Sequence, residues 1–184
     1  MNQVIIVSGP AGAGKSAVSE AICERFDRML HIEVDTLRHS VVAGYRHPWA
    51  GDHQAAEQRL LATRNASAIA RESDALRYAS VIDDVVLPLE AGQYREALAG
   101  LPTRVHFVTL LPSLDVSLAR DHGRAASIPD RVRALHEEFR AAIEAGALPG
   151  AVIDSSHDVN ASLTADRALD AVARGEALFL DAAG

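Results

Sequence analysis

The chain of 184 residues contains a single cysteine, Cys23, and a single lysine, Lys15. One cysteine excludes an intrachain disulfide, which is typical of proteins in a reducing compartment. No run of about 18 apolar residues is present, and the N-terminus lacks a basic region followed by a long apolar run. We therefore expect a cytoplasmic protein without a membrane partner.

Positive charge is also in the minority. The chain has 18 Lys and Arg against 25 Asp and Glu, which gives a net charge of −7. Binding to a nucleic-acid backbone needs clustered positive charge, so no nucleic-acid partner is expected. A biased composition explains why 17 of the 18 basic residues are arginine. It does not explain why the one lysine lies inside a glycine-rich motif.

Apolar runs alternate with helical patterns along the whole chain. The runs have the continuous character of strands buried on both faces of a parallel sheet, and they cover residues 4–7, 30–34, 80–87, 105–111 and 151–154. Helical patterns follow from residue 16 and over residues 36–42, 53–72, 90–98, 113–124, 128–145 and 160–174. This alternation predicts one α/β domain over residues 1–184, with helices on both faces of the sheet. Ligands of such sheets bind at the carboxyl ends of the strands.

The stretch GPAGAGKS, residues 9–16, connects the first apolar run to an amphipathic helical pattern. It matches the phosphate-binding pattern G-x-x-x-x-G-K-[ST] in the strand–loop–helix context that the pattern requires. Glycines allow backbone N–H groups to face a phosphate, and the helix N-terminus adds partial positive charge. Lys15 is predicted to contact the β- and γ-phosphates as a catalytic residue, and Ser16 to bind Mg²⁺. The alternative is a glycine-rich turn that binds nothing.

The predicted cofactors are therefore ATP and Mg²⁺. The predicted nucleotide-binding residues are Gly9, Pro10, Ala11, Gly12, Ala13, Gly14, Lys15, Ser16 and Ala17.

Asp35 follows the second apolar run, in IEVDTLRHS. A carboxylate at this edge of the sheet can accept the proton of an attacking hydroxyl in a phosphoryl transfer. The alternative is an N-cap of the next helix, a position that favours Asp. Arg38, one turn later, is a candidate to contact the substrate, and a solvent-exposed side chain is the alternative.

Asp83 and Asp84 interrupt the third apolar run, SVIDDVVL. An acid at a strand end beside a phosphate-binding loop can hold Mg²⁺. Because side chains alternate along a strand, only one of the two can face the loop. We predict Asp83 as the Mg²⁺ ligand and Asp84 as a contact to the substrate or to the structure. Two core acids with other partners are the alternative.

Arginines are concentrated in LARDHGRAASIPDRVR, residues 118–133. Arginines that close over a transferred phosphoryl group stabilise its charge and exclude water. We therefore predict a lid over residues 113–140, in which Arg120, Arg124 and Arg131 are catalytic. A solvated helical surface with acidic neighbours is the alternative.

The loop GYRHPWAGD, residues 44–52, precedes the predicted long helix. Tyr45 and Trp49 are candidates to stack on or enclose a substrate, and packing in the core is the alternative. Asn65 is a polar residue in an Ala- and Leu-rich helical segment and is a further candidate for the substrate pocket. Residues 36–75 are thus predicted to form a substrate-side insertion.

Together, GPAGAGKS, the VD after the second run, VIDDV, and the arginine segment with IPDRV resemble the small P-loop kinases. The most similar sub-group is the chloramphenicol phosphotransferase-like and zeta-toxin-like ATP-binding proteins, related to gluconate, shikimate and nucleoside monophosphate kinases. The resemblance implies a three-layer P-loop fold with a five-stranded parallel sheet of order 2-3-1-4-5 and a helical lid. It also implies that Asp35, by its match to the family's motif, serves as the base. No shikimate, gluconate or nucleoside monophosphate signature is present, so the resemblance does not identify the acceptor.

Two functions are compatible with these residues. The favoured one is ATP-dependent phosphorylation of a hydroxyl group on a small molecule, such as an antibiotic, a nucleoside or a sugar-like metabolite, by a monomer or homodimer. The alternative is an ATP-binding regulatory protein or slow NTPase that acts through a protein partner. The polar, aromatic loop before the long helix favours a substrate pocket.

Overall fold

The computed structural model describes residues 2–123 and 127–183. Its strands and helices follow one another as β1 (Val4–Ser8), α1 (Lys15–Cys23), β2 (Met29–Glu33), α2 (Val34–His39), α3 (His53–Ala75), β3 (Ala79–Asp83), α4 (Pro88–Leu98), β4 (Val105–Leu110), α5 (Leu114–His122), α6 (Pro129–Glu144), β5 (Ala151–Ile153), α7 (Ala161–Ala173) and β6 (Leu178–Leu180). Within these residues, no helix has both the length and the apolar character needed to cross a membrane.

Five parallel strands form the sheet in the order β2-β3-β1-β4-β5. The central strand, β1, pairs its Val4 with Ser80 of β3 and with Val105 of β4. The predicted fold class and strand order are therefore confirmed. The sixth strand, β6, was not predicted, and it pairs antiparallel with the first half of β4. Its three residues are too few to produce a recognisable alternating pattern.

The side chains of β1 alternate between two hydrophobic layers. Val4 and Ile6 pack with residues of α3 and α4, whereas Ile5 and Val7 pack with residues of α1 and α7. All four are almost completely buried. Burial on both faces explains why this strand is a continuous apolar run, and it confirms the predicted three-layer arrangement.

The third strand ends four residues earlier than predicted, at Asp83 instead of Leu87. Beyond Asp83, the backbone of Val86 forms hydrogen bonds with the side chain of Ser8. The Ser8 hydroxyl accepts from the Val86 N–H at 3.0 Å and donates to the Val86 carbonyl at 3.1 Å. Helix α4 then begins at Pro88, before the predicted start at Glu90. Proline suits the first helical position because it has no N–H to satisfy there.

Helix α2 begins at Val34, before the predicted start at residue 36. Asp35 therefore lies in the first turn of a helix and not at the end of a strand. The N-cap position is occupied by Glu33, so the alternative interpretation of Asp35 as the N-cap is wrong. Helix α5 ends at His122, and Arg124 lies outside the described residues.

Candidate active site

The loop between β1 and α1 has the backbone conformation of a phosphate-binding loop. Gly12 and Gly14 have φ angles of 79° and 88°, a left-handed region that favours glycine. A Cβ atom at Gly12 would lie 2.3 Å from the Ser117 carbonyl oxygen of α5, so a larger residue does not fit. Gly14 occupies the N-cap position of α1, which leaves the helix N-terminus without a side-chain cap. Such a terminus attracts a phosphate, so this loop fits the predicted nucleotide.

Asp83 provides the carboxylate for the predicted Mg²⁺ site. Burial alone would raise the pKa of Asp83, but His31, Lys15 and Ser16 outweigh it and hold the pKa below its usual range. Its buried Oδ2 accepts no hydrogen bond from the described residues. An ionised carboxylate next to a serine hydroxyl offers the oxygen ligands that Mg²⁺ prefers. Asp83 and Ser16 thus fit this ion.

The described residues contain no group of three or more His, Cys, Asp or Glu side chains arranged to hold a metal ion. Mg²⁺ in nucleotide sites takes only one or two protein ligands and completes its shell with phosphate oxygens and water. The two predicted ligands, Ser16 and Asp83, would therefore be sufficient for a nucleotide-dependent site.

His31 is a residue of this site that the sequence analysis missed. Its Nε2 lies 3.6 Å from Oδ2 of Asp83, and the interaction with Asp83 raises the pKa of His31. The histidine comes from β2, which is the neighbour of β3 in the sheet. A histidine within a strand has no distinctive local pattern, so only the strand order brings it to Asp83.

Asp84, next along the chain, belongs to a separate buried cluster. Its Oδ1 accepts from Nη2 of Arg38 at 2.5 Å, and its Oδ2 accepts from the Tyr94 hydroxyl at 2.9 Å. Burial disfavours the charged guanidinium, but Asp84 outweighs this and raises the pKa of Arg38. Burial also raises the pKa of Tyr94 well above its usual range, so the phenol stays protonated and donates. Asp84 and Arg38 therefore offset each other's charge at the base of the site.

A cavity of about 740 Å³ extends from the phosphate-binding loop to the loop at residues 44–52. The predicted site residues that line it are Ala11, Lys15, Ser16, Asp35, Arg38, Tyr45, Trp49, Asp83, Asp84 and Arg131. Arg59, Glu33 and Glu90 also line it, and the sequence analysis missed them. Arg59 could have been noticed, because it shares the stripe of α3 that buries Ala55, Ala62 and Ala66 and a charge within such a stripe needs a partner.

Asp35 lies at the wall of this cavity with its side chain exposed. The carboxylate is 3.9 Å from Nη1 of Arg38 and 3.7 Å from Nδ1 of His39. Neither distance is short enough for a direct hydrogen bond, so the carboxylate oxygens can still accept from a ligand.

The aromatic residues of the loop at 44–52 form one wall of the cavity. Tyr45 stacks on His39 with a centroid distance of 5.1 Å, and Trp49 stacks on His47 at 4.8 Å. The guanidinium of Arg131, from α6, lies 6.0 Å from the centroid of the Trp49 ring. The loop and the predicted lid thus meet at Trp49.

Two of the predicted substrate and lid residues lie outside the described lining of this cavity. Asn65 is exposed on α3 and is not among the described residues that line the cavity. Arg120 is also outside the described lining, because its guanidinium donates to the carbonyl oxygens of Ala13, at 3.1 Å, and Ser155, at 3.4 Å. The bond to Ala13 holds Arg120 against the backbone of the phosphate-binding loop, and the bond to Ser155 links it to the segment after β5. The prediction for Arg124 lies outside the described residues.

Sequence comparison with protein families identifies the family of this chain. The model of a family described as an AAA domain matches residues 4–148. This chain belongs to that AAA-domain family. The match covers the phosphate-binding loop, Asp83 and Asp84, and the whole of the predicted lid. None of the curated proteins matches this AAA-domain chain.

Solved structures with the same fold include several kinases. Shikimate kinase from Acinetobacter baumannii, in complex with shikimate, has a TM-score of 0.64 and 18% identity, over 96% of this chain and 95% of that chain. The Deinococcus radiodurans tunicamycin resistance protein has a TM-score of 0.66 and 18% identity, over 97% and 98%. APS kinase from Mycobacterium tuberculosis, in complex with AMPPNP and APS, has a TM-score of 0.64 and 16% identity, over 94% and 98%. The AAA-domain chain therefore has the fold of the small P-loop kinases, as its motifs predicted.

Proposed function

We propose that this protein is a Mg-ATP-dependent kinase that phosphorylates a hydroxyl group of a small molecule. One observation carries the proposal: a single cavity joins Lys15, Ser16 and Asp83 of the nucleotide end to Asp35, Tyr45 and Trp49. A regulator that only binds nucleotide has no need of a second, polar and aromatic compartment. A kinase needs one to hold its acceptor beside the transferred group.

At the nucleotide end, the loop at residues 9–17 and Lys15 would hold the phosphates, and Ser16 and Asp83 would hold Mg²⁺. Bound Mg-ATP supplies the transferable phosphoryl group. The kinase of like fold from Mycobacterium tuberculosis was solved with AMPPNP, which supports ATP as the donor. Arg131 would offset the negative charge of the transferred group from the lid side.

At the acceptor end, Asp35 would take the proton of the acceptor hydroxyl. Its carboxylate is exposed within the cavity and has no direct hydrogen bond from Arg38 or His39. In this proposal residues 36–75 form the acceptor side of one domain and residues 113–140 form its lid. Arg120 acts on the phosphate-binding loop rather than on the reacting group, a revision of its predicted catalytic role. A cytoplasmic location and a monomeric or homodimeric state stay predictions.

The test is ADP formation by the purified protein with Mg-ATP and a panel of nucleosides, aminoglycosides, phenicols and sugars. We expect one class to stimulate ADP formation and to become phosphorylated. Asp35→Asn should then lower transfer by about 10²–10⁴-fold, because general-base catalysis contributes that much, while nucleotide binding is kept. Asp27→Asn, which changes an exposed carboxylate outside the cavity, is the matched control.

Transfer at a near-normal rate by the Asp35→Asn variant would contradict the role of Asp35. A response that is flat over the whole panel, with turnover changed by a protein partner, would favour the regulatory protein instead.

A further inference from the structure

The arginines of the cavity already have carboxylate partners. Arg38, Arg59 and Arg131 line the described part of the cavity. Nη2 of Arg38 is 2.5 Å from Asp84, and Nη1 of Arg131 is 3.0 Å from Glu138. Nε of Arg59 is 3.4 Å from Glu90, and its Nη1 also donates to the carbonyl of Pro48. Each of these three guanidinium charges is thus offset by a carboxylate.

The strongest of these pairs cannot be released for a substrate. Asp84 is completely buried and accepts from Arg38, from the Tyr94 hydroxyl and from the Val85 N–H. Turning Arg38 toward an anion would leave a buried carboxylate without its counter-charge, which is strongly unfavourable.

Two carboxylates remain in excess on the acceptor side. Glu33 and Asp35 lie two residues apart and both line the cavity. Among the described residues, Glu33 accepts from the neutral hydroxyl of Thr36. Asp35 is 3.9 Å from Arg38, which Asp84 already neutralises, and 3.7 Å from His39. Burial raises the pKa of Tyr45, with a smaller contribution from the carboxylate of Asp35 and an opposing one from Arg38.

The aromatic wall of the cavity provides a second observation on which kind of acceptor the site favours. Planar side chains continue from His39 through Tyr45 and His47 to Trp49, at centroid distances of 5.1, 5.4 and 4.8 Å. About half of the Trp49 surface is exposed. Exposed ring surface of this kind favours a ligand with a planar or apolar group, and ring faces attract cations rather than anions.

We infer that the acceptor of this proposed kinase is an uncharged or cationic hydroxyl compound with an aromatic or other planar group, and that anionic acceptors are excluded. The inference rests on the proposed function and adds its substrate class. It excludes acceptors such as shikimate, whose carboxylate would meet Glu33 and Asp35, since each arginine of the described lining already has a carboxylate partner.

The test uses three probes that share a phenyl ring and a benzylic hydroxyl and differ in charge: 2-amino-1-phenylethanol, 1-phenyl-1,2-ethanediol and mandelate. Binding is followed by the fluorescence of Trp49, the single tryptophan of the chain, in the presence of Mg²⁺ and AMPPNP. We expect the amine and the diol to half-saturate at concentrations about tenfold or more below that of mandelate, the difference that one nearby charge produces. Mandelate binding as tightly as the other two, or no response to any probe, would overturn the inference.

Charge-removing variants test the cause of the preference. Glu33→Gln and Asp35→Asn should each weaken binding of the amine about threefold relative to binding of the diol. Glu57→Gln, which removes an exposed carboxylate outside the described lining, should change neither. If neither cavity variant affects the amine, the two carboxylates do not set the preference and the inference fails.

Failure of the inferred acceptor class is distinguishable from failure of the kinase proposal, because probe binding in the presence of AMPPNP is measured without phosphoryl transfer. If the probes bind in the expected order but no hydroxyl compound is ever phosphorylated, the proposed function fails and the charge preference stands. If an anionic compound proves to be the best acceptor, the kinase function stands and the substrate class is wrong.

Discussion

Arg38 of α2 and Asp84, which follows β3, form a buried ion pair with an Nη2–Oδ1 distance of 2.5 Å. The pair joins the acceptor side of the cavity to the sheet, and Tyr94 of α4 completes it with a hydrogen bond of 2.9 Å. Asp83, one residue earlier, has a pKa that His31, Lys15 and Ser16 lower against the opposing effect of burial. Two adjacent acids thus have different environments, one at the nucleotide end and one in the wall of the cavity.

Loss of the arginine in this pair should destabilise the protein strongly. Arg38→Ala leaves Asp84 buried without its counter-charge, and breaking a buried ion pair from one side costs about 3–5 kcal/mol. Urea unfolding followed by circular dichroism measures the free energy of unfolding. Arg64→Ala, which changes an exposed arginine of α3, should change it by less than about 0.5 kcal/mol. Equal effects of the two substitutions would show that the pair does not stabilise the fold.

The phosphate-binding loop should tolerate no side chain at Gly12. Gly12→Ala adds a Cβ atom 2.3 Å from the Ser117 carbonyl oxygen, at a φ of 79°. Gly100→Ala is the matched control, because Gly100 has a φ of 77° but no atom within 4 Å of the added Cβ. The control should lose only about 1–2 kcal/mol of stability, from the strain of a left-handed residue that is not glycine. Gly12→Ala should lose more stability and also weaken nucleotide binding, measured by calorimetry, and similar results for both variants would contradict the close contact with α5.

Removal of the Asp83 carboxylate should remove the effect of Mg²⁺ on nucleotide binding. Asp83→Asn takes away the charged oxygen that fits the ion, so Mg-ATP affinity should fall about tenfold or more while affinity without Mg²⁺ changes little. Calorimetric titrations with Mg²⁺ and with a chelator measure both values. Asp74→Asn, a buried acid of α3 outside the cavity, serves as the control. An unchanged Mg²⁺ effect in the Asp83→Asn variant would transfer the metal role to another residue.

His106 of β4 should make the stability depend on pH. Burial, with a smaller contribution from Arg104, lowers the pKa of His106. The unfolded chain, with a histidine pKa of about 6.5, therefore binds the proton first as the pH falls. The contribution of His106 to stability is present above that pKa, and it is lost as the pH drops from about 6.5 toward the lower folded value.

Unfolding free energies of the native protein and of His106→Gln between pH 5 and pH 8 test this sign. The variant should lose less stability than the native protein as the pH falls below about 6.5. His53→Gln, which changes a histidine exposed to solvent, should keep the native slope. A steeper loss in the His106→Gln variant would mean that His106 is charged in the folded state.

The local features of the chain could be predicted from its sequence. The run from Val4 to Val7 predicted a buried strand because both of its faces are covered, and GPAGAGKS predicted the loop because its glycines and Lys15 have one local geometry. The ends of β2 and β3 could not be predicted, because they depend on hydrogen bonds between residues far apart in sequence, such as Ser8 and Val86. For the same reason β6 was missed, since its three residues form a strand only by pairing with β4.

The sequence by itself determined the class of fold and the phosphate-binding loop, because hydrophobic periodicity and glycine conformation act within a few residues of the chain. Only the tertiary structure decided the partners of the charged side chains: Asp83 with His31, Asp84 with Arg38, and Arg120 with the back of the loop. Charge pairing depends on distances between elements that lie far apart in sequence. The charge of the acceptor compartment, and with it the proposed class of acceptor, therefore follows from packing rather than from any motif.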